Sequence, residues 1–252
     1  MSVNGDELLA VRATRSRVPK ASDVLADRLR ARILGDAMSP GDSLPSEAEI
    51  IADYGFSRGT VRETLRLLES DGLVTITRGP KGGIRVRYPD LSQISRSMAL
   101  FLSITETPMR QFIEFRQLLE PAAAAAAART ATAEQRRWLL GVAEENLEVG
   151  FDRSIEFHEV VGVCSNNGMM RVAIAALDQE IAWHLPHERL TEEDANETRS
   201  AHLAVAQAIA TGDEHRARQT MARHLEKFEK VLEAQGRLDE AIVPRSRWLS
   251  RA

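Results

Sequence analysis

Residues 43–87 read Ser43-Leu-Pro-Ser-Glu-Ala-Glu-Ile-Ile-Ala-Asp-Tyr-Gly-Phe-Ser-Arg-Gly-Thr-Val-Arg-Glu-Thr-Leu-Arg-Leu-Leu-Glu-Ser-Asp-Gly-Leu-Val-Thr-Ile-Thr-Arg-Gly-Pro-Lys-Gly-Gly-Ile-Arg-Val-Arg87. Ser46, with Glu49 three residues on, is a capping-box pattern that opens a helix. That helix is expected to end at Tyr54-Gly55, where glycine supplies the positive φ of a C-terminus. Ser57 caps a second helix over Arg58–Ser70, and Gly72 stops it. Val61, Leu65 and Leu68 share one side of this helix, and Gly59, Arg62, Glu63 and Arg66 the other. Two helices joined by a short glycine-containing turn form a helix-turn-helix, whose second helix enters the major groove. Arginine suits that task because its planar fork can bond guanine O6 and N7 together. Ser57 and Thr60 are placed to donate to phosphate at the helix N-terminus. Leu73–Arg78 is β-branched, Gly79–Gly83 is a turn and Ile84–Arg87 alternates apolar and basic, which reads as a hairpin with Arg78 and Lys81 at its tip.

A surface helix pair with solvated charges would account for the helices alone, but not for the wing directly behind them. Leu44-Pro-Ser-Glu47, Ser57-Arg-Gly-Thr-Val-Arg62, Leu67-Leu-Glu-Ser-Asp-Gly-Leu73 and Arg78-Gly79 resemble the winged helix of GntR-type bacterial transcription regulators over about residues 22–88. The expected DNA-contacting set is therefore Ser57, Arg58, Thr60, Arg62, Arg78, Gly79 and Lys81, acting on a double-stranded operator.

The chain has 252 residues, 28% of them charged, with a net charge of −4. That sign looks wrong for a DNA binder until the halves are separated: residues 1–88 sum to +2 and residues 89–252 to −6. Local potential at the helix tip and wing, rather than net charge, would then drive phosphate binding. The single cysteine, Cys164, excludes an intramolecular disulfide and reads as a small buried filler. Met1–Arg17 lacks a signal-peptide pattern, and no apolar run approaches the roughly 20 residues needed to span a bilayer. The expectation is a cytoplasmic protein without membrane contact.

Outward from the quoted stretch, residues 1–21 read as a mobile basic arm with Arg12, Arg15, Arg17 and Lys20, and Ser22 as the cap of a helix to Leu34. Tyr88-Pro89-Asp90 is the expected domain boundary. Everything after it is helical in pattern, giving a mainly α protein: a winged helix-turn-helix over 22–88, an all-helical antiparallel bundle over 89–236 and a tail over 237–252. Pro121 is expected to kink the long helix that holds the alanine run Ala122–Ala128. Thr191 and Asp213 start two helices, with Gly212 as the turn between them. Glu114-Phe-Arg-Gln-Leu-Leu-Glu120, Phe157-His158, Ser165-Asn-Asn-Gly168, Ala201-His202, Gly212-Asp213 and His224-Leu225 resemble the FCD domain, the ligand-sensing half of the FadR branch of the same family.

His202 and His224 lie about 10 residues before and 12 after Gly212, roughly 15 and 18 Å along two antiparallel helices. They therefore reach nearly the same level, and His158 from a third helix can complete a three-nitrogen site. The FCD resemblance implies a divalent metal here, held with an aspartate four residues before the first histidine. That position is Ser154, and Asp152 falls off the face of His158. Three imidazoles still suit zinc or nickel, whereas each histidine taken singly is an ordinary satisfied side chain, and both readings stand. Arg116 can pair an effector carboxylate bidentately or simply bridge to Glu120 at i+4. Arg116 and Ser154 are the expected effector contacts.

The expected function is a DNA-binding transcriptional regulator, acting as a repressor and not an enzyme. It would be a homodimer on a palindromic operator, controlled by a small organic acid in the helical domain. The alternatives are a three-histidine metalloenzyme, which lacks a clear general base, and a ligand-independent architectural DNA binder.

Overall fold

A computed structural model describes residues 18–77, 79, 82–145, 154–181 and 191–249. The arm arginines, the wing-tip residues Arg78 and Lys81, and Asp152 lie outside the described residues. By internal contacts the chain forms two compact units, one up to Gln93 and one from Ile94 on.

The first unit contains α1 (Ala21–Gly35), α2 (Glu47–Tyr54), α3 (Arg58–Ser70), β1 (Val74–Thr77) and β2 (Gly83–Val86). The capping box at Ser46 is formed in both directions: the Glu49 amide donates to Ser46 Oγ at 3.3 Å, and the Ser46 amide to Glu49 Oε2 at 2.8 Å. Gly55 ends α2 in the left-handed region at φ 72°, where a Cβ would be strained. Leu25, Leu29 and Ile33 of α1 pack with Ile50, Val61, Leu65 and Leu68 into one apolar core, closed by Val74, Ile84 and Val86 of the hairpin. The hairpin is antiparallel, with Val74 opposite Val86 and Thr77 opposite Gly83. The segment before α2 adds to its edge, since the Leu44 amide donates to the Ile84 carbonyl and the Val86 amide to the Asp42 carbonyl.

Ser22 does not cap α1. Lys20 occupies that position without a side-chain bond, while Ser22 is buried against α3 and its carbonyl accepts from Thr64 Oγ1 at 3.0 Å. Ser22 sits on the inward face of the first turn, so packing overrides its capping preference.

The second unit is helical: α4 (Ser92–Ile104), α5 (Met109–Thr130), α6 (Ala133–Glu145), α7 (Ser154–Cys164), α8 (Gly168–Ile181), α9 (Glu192–Thr211), α10 (Glu214–Ala234) and the short α11 (Ser246–Leu249). Helix α5 is its centre and continues through Pro121 to Thr130. Ala123–Ala128 are all buried in it, because methyl side chains let neighbouring helices approach closely while keeping helix propensity high. The α9–α10 hairpin is set by three local devices: a capping box between Thr191 and Asp194, Gly212 at φ 77°, and Asp213 accepting from the Arg216 amide. Arg136 of α6 braces this hairpin against α5. Its guanidinium donates to the carbonyls of Ala128, Ala131, Ile209 and Ala210 at 2.8–3.1 Å. Cys164 is buried as expected, and burial pushes its thiol up to about 11.

Residues after Gly236, expected as a tail, pack back into the helical unit as far as they are described. Pro108 and Ala241 form an antiparallel bridge, the Arg110 and Ile242 amides donate to the Leu238 and Thr107 carbonyls, and Leu238, Ile242 and Val243 are buried with Met109, Phe112 and Ile113. Trp248 packs against the same cluster. Apolar burial without periodicity anchors this segment. No helix among the described residues is long and apolar enough to cross a membrane.

Candidate DNA-reading helix and three-histidine centre

The expected reading surface is the outer face of α3. Ser57 caps the helix, with its Oγ accepting from the Thr60 amide at 3.2 Å and lying 2.9 Å from Thr60 Oγ1. Arg58 is four-fifths exposed and only loosely paired, 3.9 Å from Glu47. Arg62 is exposed and engages no side chain among the described residues. Arg66 is drawn toward Glu63 at 3.8 Å. The two arginines nearest the helix N-terminus are thus available to a ligand, while Val61, Leu65 and Leu68 hold the opposite face in the core. Gly79 takes φ 111° in the wing. Arg85, by contrast, is spent on the fold, donating to the Gly41 carbonyl at 2.9 Å and to Ser43.

In the helical unit His158 of α7, His202 of α9 and His224 of α10 converge. All three are buried. His202 Nε2 lies 3.1 Å from His224 Nε2, which lies 3.4 Å from His158 Nε2. Phe157 stacks on His202 with ring centroids 4.2 Å apart and fixes its plane. Burial, then the neighbouring imidazoles and Arg116, hold His202 and His224 well below the ordinary histidine value. His158 is also lowered, burial outweighing the raising effect of Glu120.

Three nitrogens bound tetrahedrally to one zinc at about 2.0–2.1 Å would sit roughly 3.3 Å apart. Two of the three separations bracket that value and all three donor nitrogens lie within 4.8 Å of one another, so the donor set suits zinc, and imidazole also suits nickel. His202 Nδ1 is buried without a hydrogen-bond partner among the described residues. Three buried imidazoles with donor nitrogens within 4.8 Å of one another suit a cation better than they suit each other.

Glu120 is the residue that reasoning on the histidines missed. Its carboxylate accepts from His158 Nδ1 at 2.6 Å and from Arg116 Nε, with a second Arg116 contact at 3.4 Å. Of the two expectations for Arg116, the i+4 ion pair is formed, and it is buried. The Arg116 guanidinium also faces the Phe112 and Phe228 rings. Burial disfavours a charged Glu120, but Arg116 and His158 outweigh it and hold the carboxyl well below the usual range. Ser154 is the first residue of α7, one turn before His158; its side chain lies outside the described set.

An open cleft of about 880 Å³ runs between α9 and α10 and reaches the cluster at His224. Its walls carry Arg223 and Lys227 beside Glu193 and Glu197, and Lys227 pairs with Glu197 at 3.1 Å.

Comparison with known proteins covers both units. The family described as "Bacterial regulatory proteins, gntR family" matches residues 21–86, and the FCD domain matches residues 111–227. The chain is 30% identical over 217 residues to the "HTH-type transcriptional repressor NanR" of Cronobacter sakazakii (strain ATCC BAA-894), covering 82% of this chain and 83% of that one. It is 27% identical over 216 residues to the "Putative L-lactate dehydrogenase operon regulatory protein" of Escherichia coli (strain K12), covering 82% and 84%. The solved structure titled "Streptococcus agalactiae GntR" is similar at a TM-score of 0.63 and 23% identity, over 83% of this chain and 99% of that one, which speaks to the fold alone.

Proposed function

The chain belongs to the GntR family of bacterial regulatory proteins and carries an FCD domain, and from that premise we propose a repressor whose grip on its operator is set by an organic acid bound beside a divalent metal in the helical domain. It is a DNA-binding transcriptional regulator with a ligand-sensing C-terminal domain. Its relatives are regulators rather than enzymes, which removes the metalloenzyme alternative. In this reading residues 22–88 read DNA and residues 89–236 sense the effector.

The observation that carries the sensing half is the grouping of three buried imidazoles, one of which, His224, lines an open cleft whose walls carry Arg223 and Lys227 alongside Glu193 and Glu197. His158, His202 and His224 would hold zinc or nickel, and the metal, when bound, supplies a Lewis-acidic position for an oxygen ligand. An effector carboxylate arriving through the cleft would meet Arg223 and Lys227 before the cluster. Arg116 would contribute by sharing its guanidinium between Glu120 and the effector. Being named a repressor, NanR of Cronobacter supports repression here.

On the DNA side, Arg58 and Arg62 would read base edges, Ser57 and Thr60 would bind phosphate, and Arg78, Gly79 and Lys81 would set the wing on the backbone. One recognition helix covers too few base pairs for useful specificity, so two chains related by a dyad would read a palindrome with half-sites about one turn apart.

The test is an electrophoretic shift with DNA from upstream of the protein's own gene. Zinc-loaded and chelator-treated protein would be compared, each with a panel of small hydroxy acids and sugar acids. The reading expects a shift at low salt that one acid releases only from zinc-loaded protein. No shift under any condition would end the operator assignment, and release that ignores the metal would end the metal-assisted part. Light scattering at micromolar concentration should give twice the chain mass; a monomer both free and on DNA would contradict the dimer.

A further inference from the structure

The three histidines are not equivalent. Among the described residues, Glu120 is the one carboxylate bonded to a member of the cluster, and of the three histidines it bonds only His158. A neutral imidazole carries a single proton, on one nitrogen or the other. An ionised carboxylate 2.6 Å from Nδ1 can only accept, so the proton is on Nδ1 and the lone pair on Nε2. That lone pair faces His224 Nε2 at 3.4 Å, into the point on which the cluster converges. His202 has no such guide, since its Nδ1 is without a partner among the described residues.

Glu120 is itself held in place. It is buried, and Arg116 one turn earlier on α5 grips its other oxygen. Because α5 carries Glu120 and α7 carries His158, the bond also fixes the angle at which α7 presents its imidazole. Arg116 balances the carboxylate's charge, so the effect of Glu120 on a cation is directional rather than a matter of net charge.

We propose that Glu120 is a positioning residue for the metal, locking His158 in the Nδ1–H tautomer so that Nε2 is presented as a preformed ligand. This rests on the metal reading above. Outer partners of ligating histidines typically change metal affinity by about 10–100-fold when removed. With serine at position 154, His158 is expected to depend on this support more than a site with four protein ligands would.

The experiment uses the full chain. Nitrogen–proton correlation spectra of the metal-free wild type read the imidazole tautomers, with His158→Gln to assign the signal. Zinc calorimetry is then run on wild type, Glu120→Gln and Glu120→Ala, with helical circular dichroism as the folding check. The expected results are an Nδ1-protonated His158 in the wild type, zinc binding weakened about 10–100-fold in Glu120→Ala, and partial rescue in Glu120→Gln, whose amide oxygen still accepts from Nδ1. An Nε2-protonated His158 in the wild type overturns the proposal even if neither variant folds. Equal zinc affinity in wild type and a folded Glu120→Ala overturns it while leaving the metal reading intact. A wild type that binds no zinc overturns the metal reading, and this inference with it.

Discussion

His202 and His224 are 22 residues apart in sequence, yet their Nε2 atoms lie 3.1 Å from each other across the α9–α10 hairpin. Gly212 and Asp213 fix the turn, and the two helices then run antiparallel so that residues at nearly equal distance from it meet. The approach is made in a region where charge is poorly tolerated, with consequences for pH, stability and metal.

The metal-free protein should lose stability as pH falls through about 6.5. Burial first, and neighbouring cationic groups second, depress the folded values of His202 and His224 below the ordinary one. Below pH 6.5 the unfolded chain therefore takes up protons that the folded chain refuses. Stability rises with pH wherever the unfolded state binds more protons, so acidification costs about 1.4 kcal/mol per pH unit for each such imidazole. Glu120, held low in the fold, adds a second loss below about pH 4.5. Urea denaturation of chelator-treated protein from pH 8 to pH 5 checks this. A midpoint that stays flat to pH 5 would show that the imidazoles protonate freely in the fold.

Arg136→Met should destabilise the helical unit by about 2–4 kcal/mol. The guanidinium satisfies the carbonyls of Ala128 and Ala131 at the end of α5 and of Ile209 and Ala210 at the end of α9. Methionine keeps the apolar stem but leaves these carbonyls without their charged donor, and lost bonds to charged groups cost about 1.5–3 kcal/mol each before water compensates. A change below about 1 kcal/mol in the denaturation midpoint would mean that solvent replaces the bonds.

The parts legible from sequence were those in which local chemistry and packing agree. Ser46 with Glu49, Gly55, Ser57 and Gly212 each carry a backbone requirement that few residues meet, and each sits at the helix end it marks. Val61, Leu65 and Leu68 are buried because an amphipathic helix offers one face to the core. Ser22 misled because its capping preference is weaker than its burial against Thr64. The segment over Leu238–Val243 was unreadable because it docks by shape, through irregular backbone bonds to Thr107–Arg110. Glu120 was visible only as a partner for Arg116. Its bond to His158 depends on how α5 crosses α7, a tertiary angle with no signature in either helix alone.

Arg58→Ala and Arg62→Ala should each weaken operator binding by about 1–3 kcal/mol and relax sequence preference, because arginine reads guanine through two bonds at once. Their exposure and loose pairing leave them available for this. Lys81→Ala should instead weaken operator and random DNA alike and reduce the salt slope by about one. Competition binding at several salt concentrations separates the two classes. Equal losses on operator and random DNA for the α3 variants would show that these arginines bind phosphate and do not read bases.

Ser154→Asp should tighten zinc binding by roughly tenfold or more, because a carboxylate adds both charge and a fourth lone pair to a tetrahedral site. Ser154 opens α7, four residues before His158 and therefore on the same helical face. The substitution should not harm the fold, since an acidic residue in the first turn favours the helix dipole. Ser154→Asn is the control, adding similar bulk without the charge. Calorimetry with zinc and nickel, together with metal analysis of the purified proteins, reads the outcome. If the aspartate and asparagine variants bind zinc as the wild type does, position 154 does not face the three imidazoles. The site would then rely on His158, His202 and His224 with an oxygen from water or effector.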